Sequence, residues 1–258
     1  MIRFAVDHTG KYRASFDFPH VYGTMARTAV IAGVGPGLGE SIARRFASEG
    51  LAVGLLGRST DYLESLATEL QGTAGDAIAV PCDLAQPSDI EQAFTEFRKA
   101  VGPVDVLVNH ASSASWKGIT DVSDREFQRA LDVGPRAALH CSQEAVADMR
   151  STDGDGTIIF TGATTSVRGR ENAVGFSAAK FACRGMAESM ARELGPDGIH
   201  VAHVVLDGQI LPPDGTGTHD EEEFLDPDAI AESYWHLVEQ DRSAWTLELD
   251  LRPHVEEF

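Results

Sequence analysis

The stretch Thr28-Ala-Val-Ile-Ala-Gly-Val-Gly-Pro-Gly-Leu-Gly39 decides the fold. Its first five residues are rich in small and β-branched side chains and predict a short strand. Glycines follow at 33, 37 and 39, ahead of a helical pattern that runs to Glu49 and is closed by Gly50. Glycine permits a tight turn and lets the backbone approach a pyrophosphate, and the helix start offers unpaired N–H groups and a positive dipole end. A strand, a glycine turn and a helix in this order predict a dinucleotide-binding unit.

The alternation of strand and helix continues along the rest of the chain. Further strands are predicted over 51–56, 77–81, 104–108, 157–161, 200–206 and 245–251, and further helices over 62–71, 89–101, 124–149, 176–194 and 227–239. Asp61 is the expected cap of the second helix, and Gly134-Pro135 is expected to interrupt the helix over 124–149. Strands without a polar face are typical of a parallel sheet covered on both sides. We therefore predict an α/β fold, a Rossmann-like doubly wound parallel sheet of about seven strands with helices on both faces.

The chain is expected to hold one domain with a short addition in front of it. Residues 25–258 form a single dinucleotide-binding Rossmann domain in this interpretation, because Met25 opens a sequence that is a natural start. Residues 1–24 fit that pattern poorly and are interpreted as a peripheral N-terminal extension, with a loose apolar alternation that suits a hairpin or an edge strand.

The amino-acid composition limits the classes of partner that the chain can bind and indicates the compartment in which it is expected to work. There are 40 acidic and 21 basic residues, for a net charge of −19, which makes nucleic acid an unsuitable partner. Four of the bases are lysine and 17 are arginine, as in a salt-adapted (halophilic) protein, although an ordinary acidic protein is the alternative. Three cysteines exclude a disulfide scaffold or a Cys-rich zinc site and suit a reducing cytoplasm, and no apolar run is long enough to span a membrane.

Further motifs make the chain resemble the short-chain dehydrogenase/reductase family. Ala32–Gly39 is similar to the family's T-G-x-x-x-G-x-G, with Ala for Thr, and Asn109-His110-Ala111-Ser112 is similar to its N-N-A-G. Lys180 matches the lysine of Y-x-x-x-K, and Asp207-Gly208-Gln209-Ile210 resembles P-G-x-I, with Asp for Pro. The resemblance implies a cofactor site made of Gly33, Gly37, Leu38, Gly39, Arg58, Asp83, Leu84, Asn109, Ala111, Lys180, Gly208 and Ile210. It also implies a small-molecule substrate, with a substrate loop near 211–225.

The cofactor is expected to be NADP(H) rather than NAD(H). A site for NAD places an acid about 20 residues after the glycines, where it holds the 2′-hydroxyl. The second predicted strand instead ends in Leu56-Gly57-Arg58-Ser59. Arg58 can make a charge-assisted contact with a 2′-phosphate, which a carboxylate would repel. The alternative is that Arg58 is a solvated loop residue.

The catalytic positions implied by the resemblance depart from the family. The family's proton-donating tyrosine falls on Phe176, its serine on Ala163 and its asparagine on Gly134, so Lys180 alone remains as a catalytic residue. Phenylalanine cannot donate a proton, and the loss of a general acid costs roughly 10²–10⁴-fold in rate. Thr164, Thr165, Ser166 and His110 are the other polar candidates.

Three interpretations follow from this substituted site. The first is an oxidoreductase with a changed acid, which would reduce an activated C=C bond or a carbonyl. The second is a catalytically inactive NADP(H)-binding sensor or partner protein, and the third is a fold relic that binds no cofactor.

The remaining expectations concern a pocket wall, metals and assembly. Trp116, Tyr234 and Trp235 are candidates for a substrate pocket wall, with core packing as the alternative. No metal is expected, since His200 and His203 fall on opposite faces of one strand. The resemblance implies a homodimer or homotetramer formed through helices 124–149 and 176–194, where Ala137, Ala138, Ala145 and Ala147 would permit close packing.

Overall fold

The computed structural model describes residues 2–6, 12–16, 27–152 and 155–255 of the chain. The strands, in chain order, are β1 (Ile2–Val6), β2 (Tyr12–Phe16), β3 (Thr28–Ala32), β4 (Ala52–Gly57), β5 (Asp76–Pro81), β6 (Val106–Asn109), β7 (Gly156–Thr161), β8 (Ile199–Leu206), β9 (Gln209–Ile210), β10 (Phe224–Leu225) and β11 (Glu248–Leu251). The helices are α1 (Leu38–Ser48), α2 (Thr60–Leu70), α3 (Pro87–Val101), α4 (Asp124–Leu131), α5 (Ala137–Ser151), α6 (Val174–Leu194) and α7 (Pro227–Val238).

Seven strands form one parallel sheet in the order β11-β8-β7-β6-β3-β4-β5. The fold class predicted from the sequence is therefore confirmed. Side chains that alternate along each strand enter two separate cores: Ile31 packs with α1, α2 and α7 on one face, and Val30 packs with α3, α5 and α6 on the other. This double burial is the reason why the strands lack a polar face.

The residues that precede β3 in the sequence include a separate two-stranded sheet. β1 and β2 pair antiparallel, with Ile2 opposite Phe16, which agrees with the hairpin interpretation. The two strands do not join the seven-stranded sheet. Much of 1–24 lies outside the described residues, so its assignment as a peripheral extension stays a prediction.

One local prediction about the helices was wrong. Asp61 does not cap α2: the helix begins at Thr60, two residues before its predicted start, Ser59 is the N-cap residue, and no side chain caps it. The predicted interruption at Gly134-Pro135 is confirmed, because Asp132–Arg136 form a π-helical turn between α4 and α5. A π-helical turn is wider than an α-helical turn, so the helical path can continue past proline, which has no N–H to donate. This turn places Gly134 against α6, with the Cβ of Ala179 only 3.3 Å from where a Cβ on Gly134 would lie.

Candidate functional site

The crevice at the carboxyl edge of the sheet lies where the strand order reverses. From β3 the chain proceeds through β4 to β5 on one side and then crosses to β6 on the other. The loops that follow β3 and β6 consequently diverge toward opposite faces, and parallel α/β sheets bind their ligands at this point. Gly33 follows β3 directly, and His110 and Ala111 follow β6.

Glycine is required at this crevice because two backbones meet there. Gly33 has a φ of +113°, and a Cβ on it would lie 2.7 Å from the Ala111 Cα. On the first turn of α1, a Cβ on Gly39 would lie 2.8 Å from the Gly33 carbonyl oxygen. No side chain caps α1 at Gly37, so its first N–H groups are available to an anion.

The crevice opens into a cleft of about 420 Å³. The glycine turn and the end of β4 lie side by side in its lining, since the Leu56 carbonyl oxygen accepts hydrogen bonds from the Gly33 and Val34 N–H groups at 3.0 and 2.7 Å. Its walls are Gly33, Val34, Gly35, Gly57, Arg58, Ser59, Cys82, Asp83, Leu84, His110, Ala111, Ser112, Ser113, Arg129 and Val133. The sequence-predicted residues Gly33, Arg58, Asp83, Leu84 and Ala111 therefore share one cleft.

Charged side chains of both signs line the cleft. Arg58 is exposed at the end of β4. Oδ1 of Asp83 accepts hydrogen bonds from the Ala85 N–H at 3.2 Å and from Nη2 of Arg129 at 3.4 Å. Sequence reasoning missed Arg129, because it lies on α4, far along the chain from the other residues of the cleft, and no local motif marks it.

The lysine position is buried beneath the cleft. Nζ of Lys180 donates to the Thr161 carbonyl oxygen at 2.7 Å, and burial lowers the pKa of the ammonium group. Nζ also lies 5.5 Å from the ring centroid of Phe176, within the range of a cation–π contact. Trp116 packs on the same ring at 5.3 Å between centroids. An aromatic hydrocarbon thus occupies the position four residues before the lysine.

A second cavity, of about 10 Å³, lies beside Lys180. Asn109, Gly134, Phe176 and Cys183 are among its walls, together with Ala111. Its volume is about that of a single water-sized probe. The predicted residues Asn109 and Lys180 thus meet in this small cavity rather than in the main cleft.

The remaining predicted residues stand outside both cavities. Gly37, Leu38 and Gly39 lie behind the glycine turn at the start of α1. A Cβ on Gly208 would lie 2.7 Å from Pro253, and Ile210 pairs with Leu225 of β10. Neither Gly208 nor Ile210 lines a cavity described here.

Two of the three hydroxyls next to Ala163 are hydrogen-bonded to protein groups. Oγ1 of Thr164 donates to Asp207 at 2.7 Å. Oγ of Ser166 accepts from the Ala163 N–H at 3.0 Å, and the Thr165 hydroxyl is buried without a partner among the described residues. None of the three lines the cleft or the small cavity, and neither does Ala163.

His110 belongs to a hydrogen-bonded series that leads away from the cleft. Its Nδ1 lies 3.2 Å from Oγ1 of Thr161, which lies 2.8 Å from the hydroxyl of Tyr234. Burial, with a smaller contribution from the charge of Lys180, lowers the pKa of His110 to about 4. The imidazole is therefore neutral near pH 7, so it lacks the imidazolium proton that a general acid would donate.

None of the three aromatic candidates for a pocket wall lines a cavity among the described residues. Trp116 is 63% exposed and contacts Phe176, but it lines neither the cleft nor the small cavity. Tyr234 is fully buried, and Trp235 packs on Phe46 at 5.7 Å, because α7 covers the opposite face of the sheet. For these two aromatics the alternative of core packing is confirmed.

The two histidines of β8 are packed residues. The ring nitrogens of His200 lie 3.1 Å from the Leu237 carbonyl oxygen and 2.8 Å from that of Thr246. Nδ1 of His203 lies 3.1 Å from Glu248. Within the described residues no cluster of three potential metal ligands exists, and no helix there is long and apolar enough to cross a membrane.

Comparison with known proteins gives consistent matches. The family model described as short chain dehydrogenase matches residues 27–210. D-xylose 1-dehydrogenase of Caulobacter vibrioides is 32% identical over 206 residues, which cover 80% of this chain and 78% of that protein. A short-chain dehydrogenase from Rhodopseudomonas palustris superposes with a TM-score of 0.78 at 32% identity, covering 88% of this chain and 99% of that one. An alcohol dehydrogenase from the archaeon Thermococcus sibiricus, complexed with 5-hydroxy-NADP, gives a TM-score of 0.81 at 26% identity, covering 90% and 98%.

The close approach of Gly33 to the Ala111 backbone predicts that a side chain at position 33 destabilises the fold. Gly33→Ala should lower the free energy of unfolding by more than about 1 kcal/mol, since it adds backbone strain and a clash with main chain that cannot move aside. Gly35→Ala is the matched control, because no atom lies within 4 Å of the added Cβ, and it should change stability by less than about 0.5 kcal/mol. Urea unfolding followed by circular dichroism measures both. Equal stability of the two variants would contradict the role given to Gly33.

Proposed function

The chain belongs to the short-chain dehydrogenase family, and we propose that it is an NADP(H)-binding oxidoreductase of small molecules whose active site lacks the family's tyrosine acid. The observation that carries the proposal is the ring of Phe176, fixed between Trp116 and the buried Lys180. The cofactor assignment draws on the cleft and on the NADP derivative bound by the Thermococcus sibiricus relative.

The residues of the cleft suit a phosphorylated dinucleotide. The Gly33 turn and the uncapped start of α1 present backbone N–H groups for the pyrophosphate. Asp83 has Oδ2 free of the two donors that hold Oδ1, so it can accept from an adenine amino group. We assign the 2′-phosphate to Arg58, which is exposed directly after β4. When bound, the dinucleotide supplies the hydride.

Arg58 is expected to determine the preference for NADP(H) over NAD(H). Arg58→Gln should weaken NADPH binding by about tenfold to a hundredfold, as expected for the loss of a charge-assisted hydrogen bond, and should leave NADH binding unchanged. Titration calorimetry on the purified protein measures both affinities.

Arg125→Gln is the control for this experiment, because Arg125 is exposed on α4 but does not line the cleft. Wild-type protein that binds NADH as tightly as NADPH would refute the assignment of Arg58.

The choice of reaction follows from the proton donors that reduction of a carbonyl oxygen would need. Phe176 has no acidic proton, the hydroxyls of Thr164 and Ser166 are bonded to Asp207 and to the Ala163 N–H, and His110 is neutral near pH 7. Losing an oxyanion donor as well as the acid removes a further ~10²–10³-fold from ordinary ketone reduction, although such losses do not add. Reduction of an activated C=C bond suits this site better, since one carbon takes the hydride and the other takes its proton from water. Lys180 remains available to hold ribose hydroxyls, the second role that the family gives to this lysine.

A second candidate is cofactor binding without turnover. The same packing of Phe176 favours it, because an aromatic hydrocarbon stands four residues before the lysine, where the family has its proton donor. Steady consumption of NADPH with enoyl or carbonyl compounds would support the oxidoreductase, whereas tight NADPH binding with no turnover would support a sensor or partner protein.

Restoring the family's hydroxyls tests the alignment of the site. The double variant Phe176→Tyr, Ala163→Ser should gain ketone reduction by about 10²-fold or more over wild type, because it regains an acid and an oxyanion donor. The rate of loss of NADPH absorbance measures the gain.

Phe181→Tyr, Ala163→Ser is the matched control, since Phe181 lies on the same helix but is 43% exposed. A double variant at 176 that binds NADPH and is no faster than this control would show that Phe176 does not occupy the acid's position.

We further propose that the chain forms a homodimer through α5 and α6. Three of the four alanines expected to permit this contact do not, because Ala137, Ala138 and Ala145 are buried within the chain's own core; Ala147 is exposed. Exposed apolar side chains on the two helices, Leu139 at 44% and Phe181 at 43%, are the better candidates.

Light scattering should report a dimer, and Phe181→Arg should convert it to a monomer, whereas Ile119→Arg, on a loop, should not. A monomeric wild type would refute the proposal.

A further inference from the structure

A buried carboxylate joins three segments at the carboxyl edge of the sheet. Asp207, only 1% exposed, follows β8, and its backbone N–H donates to Leu251 of β11 at 2.8 Å. Its Oδ1 accepts from the Thr164 hydroxyl at 2.7 Å. Nη2 of Arg168 lies 3.1 and 3.2 Å from the two carboxylate oxygens, and Arg252 lies 3.3 Å from Oδ2.

These contacts fix the guanidinium of Arg168 but use only one of its nitrogens. Both bonds to Asp207 come from Nη2, and among the described residues Nε and Nη1 make no hydrogen bond. The side chain is 53% exposed. A buried carboxylate therefore holds a cation whose remaining three N–H donors face outward, an arrangement that suits recognition of a carboxylate.

The cation lies on the loop that follows β7 at the carboxyl edge of the sheet, and it lines neither the cleft nor the small cavity. Arg168 and Ala163 belong to one short loop after β7, closed by a hydrogen bond from the Arg168 N–H to the Thr164 carbonyl oxygen at 3.1 Å. Asp207 directly precedes Gly208, which the family resemblance puts next to the nicotinamide. Parallel strands bring both segments to the edge where substrates enter.

We propose that Arg168 is a specificity-determining residue that binds the carboxylate of a small unsaturated or keto acid, with Asp207 as the residue that positions it. The proposal rests on the proposed function, because it concerns the substrate of the same site. In a chain with a net charge of −19, the surface as a whole repels anions, so an acid substrate needs a fixed local cation. A neutral substrate would leave the outward donors of Arg168 to water alone.

The test compares acids with their amides on protein saturated with NADP⁺, which cannot reduce them. The probes are trans-cinnamate, crotonate and pyruvate, each paired with its amide, and titration calorimetry gives the dissociation constants. At least one acid should bind about tenfold or more tightly than its amide. Arg168→Gln should abolish that difference, and Arg168→Lys, which retains the charge, should restore part of it.

Arg170→Gln is the matched control, an exposed arginine two residues along the same loop, and it should keep the preference for the acid. The proposal is overturned if no acid binds more tightly than its amide, or if Arg168→Gln keeps the preference, or if both glutamine variants lose it equally. NADP⁺ binding, measured in the same samples, separates the two levels: its loss in wild type refutes the proposed function, whereas normal NADP⁺ binding with no acid preference refutes the role of Arg168 alone.

Discussion

The close approach of two backbones at the switch point of the sheet is the constraint on which the site depends. The Ala32 carbonyl oxygen accepts hydrogen bonds from the N–H groups of both His110 and Ala111, at 3.0 and 2.7 Å, which draws the loop after β6 onto the loop after β3. A Cβ at position 33 would occupy the space that Ala111 fills. Because no side chain intervenes, the crevice floor is bare main chain and the start of α1 remains open to an anion.

The contacts at the lysine position show how a buried ammonium group is accommodated beside an aromatic ring. Lys180 makes one strong hydrogen bond, to a backbone carbonyl oxygen, and faces an aromatic ring on its other side. A buried ammonium is costly unless it is compensated, and the lowered pKa reflects that cost. The ring of Phe176 offers partial compensation through its π face, so hydrocarbon at this position is compatible with a retained lysine.

The sequence was sufficient to predict the sheet and most of the cleft, because both depend on local patterns. Strands buried on both faces lack polar residues, and a glycine turn between strand and helix is readable from spacing alone. Arg129 and the partners of Asp207 could not be predicted, since Asp83 with Arg129, and Asp207 with Arg168, are brought together only by the fold. The choice between pocket and core for Tyr234 and Trp235 stayed open for a similar reason: the sequence places α7 near the C-terminus but does not say which face of the sheet it covers. The cap at Asp61 was wrong because a residue suited to capping is also stable within the first turn of a helix, where its charge complements the dipole.

The aspartate at position 207 connects the loop after β7 with the end of β8. In the motif that it resembles, the residue before glycine is proline, which carries no charge. An aspartate there is buried, and a buried carboxylate must find donors, which in this structure come from Thr164, Arg168 and Arg252. Thr164 and Arg168 lie on one loop, so Asp207 is a shared anchor for both side chains. A single charged residue at this position thus accounts for the ion pair that holds Arg168 at the carboxyl edge of the sheet.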